Sequence, residues 1–400
     1  MQLLGLIAFL WILGTALIWP LLPFQALAFG ATPLLVTLLF ATDTAVAMVC
    51  APTFGRISDK LGRRPAIVAG LIFGAVSLLY FAIADSLFDL FLSRALGGLS
   101  IAALPALQAA LSDITSRERR IFGFSTFHGA YASAFVVGPL LTWQALELFG
   151  LSAGWIGLLA AAIATAACGL SLLHGEAARA VETSTAAASS GPTPSGPATD
   201  GGWRGLMVPA LLVPLAAIFL LSLAHAGWDA ILAVWADAAL RWGEAEVAIG
   251  YAVAGSCAAA TQFLVAPRLC ERIGEGNCAR LAALLAAGAL LVLAIGRDGV
   301  VCLIALGLLG AAMASASSCL FSLLTQAAPA DRQGIALGLA GSVFNLAWLL
   351  GPIAAGLGFF ATWPGLPFLL GTAACLLGLA ALAIPVAVRA LRPGAALSEW

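Results

Sequence analysis

Of the 400 residues in the chain, 62% are hydrophobic and 9% charged, whereas soluble domains carry roughly a quarter charged residues, so an ordinary soluble fold is excluded. Eighteen Lys and Arg against nineteen Asp and Glu leave a net charge of -1, which excludes the basic field that holds nucleic acid at its phosphates. At about 20 residues per crossing helix, the lipid bilayer is the solvent for nearly the whole chain, and no large separate soluble domain fits.

The first apolar run begins MQLLGLIAFLWILG with no Lys or Arg ahead of it. It continues to Pro20 and Pro23, past the length of a signal-peptide core, and reads as a retained span. Apolar runs at 3–27, 33–54, 65–84, 87–111, 120–142 and 152–173 make a first set of six. Residues 174–205 are rich in Ala, Ser, Thr, Gly and Pro; such a stretch cannot bury enough surface to fold and reads as a flexible tether on the inner side. Six further runs follow at 206–236, 245–266, 279–296, 300–324, 333–357 and 366–390. The expected fold is therefore an all-α membrane protein of twelve transmembrane helices, with domains at 1–173 and 206–400 joined by that linker.

The halves echo each other. Arg119 precedes Gly138-Pro139 by 19 residues and Arg332 precedes Gly351-Pro352 by 19, each pair in the fifth span of its half. A duplicated six-helix unit accounts for this, and two pseudo-symmetric bundles suit alternating access to a midplane site. Fifteen of the eighteen Lys and Arg residues fall in the loops and tail of one side, Arg241 and Arg297 fall on the other, and Arg94 lies within a span. Because cytoplasmic loops retain positive charge, both termini are expected in the cytoplasm of a bacterial-type inner membrane. The eight cysteines, Cys50, Cys168, Cys257, Cys270, Cys278, Cys302, Cys319 and Cys375, form no CxxC pair. Most fall inside spans, where Cys behaves as a small hydrophobe, so neither a metal nor a disulfide framework nor any cofactor is expected.

The most specific stretch is Cys50 to Pro65, CAPTFGRISDKLGRRP, on the inner side between spans 2 and 3. Gly62 turns the chain, Gly55 lets span 2 approach a neighbour, and a carboxylate at Asp59 attracts an arginine or a helix N-terminus. On the residues alone this could also be a basic loop that only sets topology. The pattern G-x-x-x-D-x-x-G-R-R at Gly55, Asp59, Gly62, Arg63 and Arg64 resembles the signature loop of the major facilitator superfamily, most closely its drug:proton antiporter branch with the tetracycline-efflux proteins. The resemblance implies that Asp59 latches the two halves at the start of span 11 in the outward-open state.

Ser93 to Asp113, SRALGGLSIAALPALQAALSD, resembles the R-x-x-x-G start and terminal D-I-T of the family's fourth helix. An arginine within a span costs at least ~2.5 kcal/mol on insertion scales, so Arg94 faces a cavity or a partner, or else snorkels to the outer interface. The resemblance implies a part for Arg94 in proton coupling. It also places Asp113 as a partner for the loop arginine, so that Asp59, Arg63 and Asp113 would form a charge relay. Gly129 to Pro139, GAYASAFVVGP, resembles the antiporter motif ending in Gly-Pro, where small residues permit close packing and Pro139 kinks the helix. The family continues G-P-x-x-G-G, whereas this chain has Gly138-Pro139-Leu140-Leu141-Thr142-Trp143. Span 1 carries LGTALIWPLLP, similar to the family's G-x-G-x-x-x-P-x-L-P, with Trp11 where an acidic residue is usual.

Candidates for carrying a proton follow from position. Asp43, about ten residues from either end of span 2, is the first choice because burial makes its charged form costly; hydrogen bonding to Thr42 or Thr44, or a watery vestibule, is the alternative. His225 and Asp229 lie four apart on one face of span 7 and could form a protonatable pair, or Asp229 could lie solvated at the outer interface. Uncharged polar and aromatic residues, Gln25, His128, Tyr131, Trp228, Gln262, Gln326, Asn345 and Trp348, are candidate contacts for a largely apolar solute with a few hydrogen-bonding groups. Packing and interface anchoring is the competing account. Lys60, the only lysine, follows no glycine-rich loop, which argues against an ATP-driven pump. No catalytic constellation stands out, and an enzyme is not expected. Three readings stay open: a proton-coupled exporter of a drug-like or metabolite solute acting as a monomer, a facilitator or importer of the same fold, and a non-transporting scaffold.

Overall fold

The computed structural model describes residues 2–113, 120–173, 209–328, 333–359 and 363–383, and among these every regular element is a helix. The first half holds α1 (Gln2–Ile18), α2 (Leu22–Ala28), α3 (Pro33–Leu61), α4 (Arg63–Ile83), α5 (Leu87–Ala102), α6 (Leu104–Asp113), α7 (Arg120–Glu147) and α8 (Ala153–Leu173). The second holds α9 (Pro209–Leu240), α10 (Glu244–Ala260), a π-helical turn (Thr261–Val265), α11 (Ala266–Ile273), α12 (Glu275–Ile295), α13 (Gly299–Ala327), α14 (Gln333–Phe359) and α15 (Leu366–Leu382). Among the described residues, ten helical segments are long and apolar enough to cross a membrane, and Leu366–Leu382 is a shorter apolar helix. Among the described residues each of the twelve expected runs overlaps one helix or consecutive helical segments, the eighth being made of α10, the π-helical turn and α11.

Proline explains the broken spans, because it removes a backbone donor and clashes with the preceding turn. Span 1 breaks between α1 and α2 beside Pro20 and Pro23, and span 4 breaks at Ala103, just before Pro105. In span 8 the π-helical turn Thr261–Val265 leads into Pro267. One correction concerns the motif between spans 2 and 3, which is not a loop. Helix α3 runs through Gly55 and Asp59 to Leu61, and Gly62 alone joins it to α4. Gly62 takes φ 90° and ψ 165°, and Gly274, between α11 and α12, takes φ 80° and ψ 154°. Essentially only glycine occupies that region without strain, so the two halves use one turn device at the same place.

The described residues divide into two compact units, Met1–Gly30 with Thr42–Thr199, and Ala31–Ala41 with Asp200–Trp400. Within the first unit α1 packs on α7 and α8, while α4 packs on α5 and α8; within the second, α9 packs on α14 and α15, while α12 packs on α13 and α15. Counted in spans, both units pair the first with the fifth and sixth, and the third with the fourth and sixth. One core gathers Ile7, Trp11, Leu71, Ala103 and Leu107, and the other gathers Leu211, Ile218, Ala283, Leu320 and Leu324. Many of the buried positions are alanine, as expected where helices attract through close van der Waals contact and not through exclusion of water. Large apolar side chains such as Phe88, Trp155, Leu285 and Ile304 remain exposed, which suits a surface bathed in lipid.

Candidate functional site

In the first unit, Asp43 on α3 and Arg94 on α5 form a buried ion pair with Nη1 3.6 Å from Oδ2, their side chains 4% and 2% exposed. Three features bring them together. Ser86 caps α5, its hydroxyl accepting from the Asp89 backbone N–H, which fixes the start of the helix two turns before Arg94. Ser77 on α4 and Ser93 on α5 donate to each other's backbone carbonyls at 2.7 and 2.8 Å. Gly98 sits so close to the Asp43 carbonyl oxygen and to Val46 that a Cβ there would collide with both. Thr44 Oγ1 lies 3.4 Å from Asp43 Oδ1, and Arg94 Nε is buried with no hydrogen-bond partner. Arg94 therefore turns inward to a carboxylate and does not snorkel outward, since leaving either charge alone in hydrocarbon would cost more than pairing them. Trp11, in the position where an acid was expected by resemblance, donates from Nε1 to Ser100 Oγ at 2.7 Å, tying the first span to the fourth.

At the α3–α4 junction, Arg63 Nη1 donates to Asp59 Oδ1 at 2.9 Å and to Ser58 Oγ at 3.0 Å. Arg64 Nη2 donates to the Leu172 carbonyl at 2.7 Å, where it satisfies the C-terminal end of α8. The side chains of Asp113, His128, Gly129 and Tyr131 lie outside the described residues, so only the Asp59–Arg63 part of the expected relay can be placed. Gly55 is exposed, with nothing within 4 Å of where a Cβ would stand; the expected close helix approach at Gly55 is not present. Gly138 and Gly351 do make such approaches. A Cβ on Gly138 would meet Ala16 on α1, and a Cβ on Gly351 would meet Leu223, Ala226 and Gly227 on α9, so the two Gly-Pro steps bring fifth and first spans together in both units. Pro139 and Pro352 lie inside α7 and α14 respectively.

In the second unit a run of rings crosses α9, α10, α13 and α14. His225 stacks on Trp228 with centroids 5.7 Å apart and planes 6° apart, and meets Trp348 at 5.4 Å. Trp228 lies 6.2 Å from Tyr251, and Phe344 bridges Trp348 to Phe321. Tyr251 donates to the Asp229 carbonyl at 2.6 Å. The Nε1 atoms of Trp228 and Trp348 are buried and unpartnered. One expectation changes here. The His225 imidazole lies in ring contact with Trp228 and Trp348. Asp229 is 9% exposed, so it is not solvated at an outer interface.

The polar candidates scatter. Gln25 Oε1 is buried and unpartnered, while Gln262 donates to Ala314 O and Ser318 Oγ across to α13. Gln326 donates to Glu275 and Ser322 at the C-terminal end of α13, which gives it a local bracing role, and Asn345 is exposed on α14. The Asp43–Arg94 pairing and the ring run were not legible in the sequence as constellations, since their members come from separate helices at no motif spacing. An acid inside span 2 and a base inside span 4 were the available signal for the first.

The sequence profile of the Major Facilitator Superfamily matches residues 4–352. Over 132 residues the chain is 30% identical to "Tetracycline resistance protein, class H" of Pasteurella multocida, a match covering 32% of this chain and 33% of that protein. It is 33% identical over 132 residues to "Quinolone resistance protein NorA" of Staphylococcus aureus, covering 33% of this chain and 34% of that one. The matched segment thus spans about a third of these curated relatives. Among solved structures, a mutant of the nucleoside transporter NupG superposes with a TM-score of 0.72 at 13% identity, covering 95% of this chain and 98% of NupG. The human organic anion transporter MFSD10 (TETRAN) gives 0.63 at 22% identity with the same coverage. A profile match over most of the chain, joined to two six-span units packed by one scheme, leads to a plain conclusion: this multi-pass membrane protein belongs to the Major Facilitator Superfamily.

Proposed function

We propose that the protein is a secondary transporter that exports a drug-like or metabolite solute by alternating access, driven by inward proton flow, and that it works as a monomer in a bacterial-type inner membrane with both termini cytoplasmic. The observation that carries the reading is the buried Asp43–Arg94 pair. An ion pair in hydrocarbon gains little net stability over apolar packing and is retained where a charge must change during function. Protonation of Asp43 releases Arg94 from its counter-ion, and the bare cation then favours a conformation that gives it another partner. Export is supported by the two relatives named for tetracycline and quinolone resistance. The ring run around Trp228 and Trp348, with its two free indole N–H groups, offers flat apolar faces and donors to a solute with acceptor atoms.

The test is transport of tetracycline and of a quinolone by the purified protein in liposomes, with and without an imposed pH gradient. The parent should accumulate solute against its gradient only when the pH gradient is present. Asp43→Asn should lose that driven accumulation yet retain solute exchange between the two sides. Flux indifferent to pH in the parent would favour the second reading, an uncoupled facilitator, for which Trp11 in the first span and the Leu-Leu-Thr-Trp after Gly138-Pro139 speak. No transport of any tested solute, with Arg94 and Asp59 both replaceable at no cost to the host, would favour the scaffold.

A further inference from the structure

Cys270 on α11, Cys278 on α12 and Cys319 on α13 converge from three helices, their sulfurs all within 4.8 Å of one another. Cys270 Sγ and Cys319 Sγ are 3.5 Å apart. All three thiols are free; Cys278 and Cys319 are buried and Cys270 is half-buried, so the group is sealed on one side and reachable on the other. Sequence spacing gave no hint of this, because the residues lie 8 and 41 positions apart and match no metal motif. From the geometry we infer that Cys270, Cys278 and Cys319 form a soft-metal site that takes one zinc ion as a tris-thiolate at the inner end of the second unit.

Distance and chemistry both fit. A zinc ion bound tetrahedrally at about 2.3 Å from sulfur sets its ligands about 3.8 Å apart, so one edge is already slightly short and the trio closes with shifts of about an ångström or less. On binding, each thiol gives its proton to solvent and forms one S–Zn bond, the metal stays divalent, and the fourth position is left to a water molecule. Thiolate ligands select soft or borderline cations over magnesium or calcium. Packing alone does not call for sulfur here. Four residues before and after the junction glycine Gly274 stand Cys270 and Cys278; at the same offsets from Gly62 the first unit has Ser58 and Ala66, both buried. Small residues without a thiol therefore fill the equivalent junction. A bound ion would staple α11, α12 and α13 together beside Glu275, which is braced by Ser322 and Gln326.

The experiment titrates the reduced, desalted full-length protein in detergent with cadmium, whose thiolate bonds give an ultraviolet charge-transfer band, and then displaces cadmium with zinc. The expected result is one ion per chain and a band that zinc abolishes. Cys319→Ala and Cys278→Ala should each weaken binding at least tenfold, whereas Cys375→Ala, a buried cysteine outside the trio, should bind as the parent does. Zinc should also raise the melting temperature of the parent but not that of the triple Cys→Ala variant. Absence of the band in the parent, a reading that needs no variant to fold, or equal uptake by the triple variant would overturn the assignment.

Discussion

At the residue scale the molecule is organised around one energetic contrast. Asp43 and Arg94 each cost several kcal/mol to bury and repay that cost only together. Removing one partner by Asp43→Asn or Arg94→Leu should therefore destabilise the protein by about 3–5 kcal/mol, because the survivor is left as an uncompensated buried group. The double variant Asp43→Leu with Arg94→Leu should recover most of that loss while remaining inactive in gradient-driven transport. Unfolding of the four proteins in one detergent closes the cycle; additive losses would show that the two groups do not depend on each other.

Elements are decided by glycine and proline. At the two junctions Gly62 and Gly274 hold a backbone conformation that a side chain makes costly, so Gly62→Ala and Gly274→Ala should each cost about 1–3 kcal/mol. The symmetric placement predicts losses of similar size, read as shifts in thermal unfolding. Where helices touch, crowding replaces dihedral strain as the determinant. Gly138→Val and Gly351→Val drive a side chain into Ala16 and into Leu223–Gly227, and overpacking of this kind costs about 1–3 kcal/mol. Gly288→Val, on α12 with nothing within 4 Å of its Cβ position, serves as the comparison and should leave the melting temperature nearly unchanged.

For the whole molecule, the distribution of basic residues fixes the expected orientation: Arg56, Lys60, Arg63, Arg64, Arg268 and Arg272 share one side, and Arg241 and Arg297 the other. Fusions of a phosphatase active only outside the cytoplasm should be silent after Ser190 and at the C-terminus, and active after Gly150 and after Arg297. Activity after Ser190 would invert the expected topology. Because the two units share one packing scheme, an inverted result would apply to both.

Composition and hydropathy by themselves determined the solvent, the number of spans and the doubling, since lipid demands about 20 apolar residues per crossing whatever the neighbours are. The family motif was equally legible, because its glycine turn and its Asp59–Arg63 pair are formed by residues four apart. What only the tertiary structure decided is which distant side chains meet. Asp43 with Arg94, His225 with Trp348, and the three cysteines come from separate helices. Their meeting depends on helix rotation and close approach at positions such as Gly98, which no periodicity along the chain records. Buried charges and thiols have an energy set by their nearest partner, so their roles stay undefined until the fold supplies that partner.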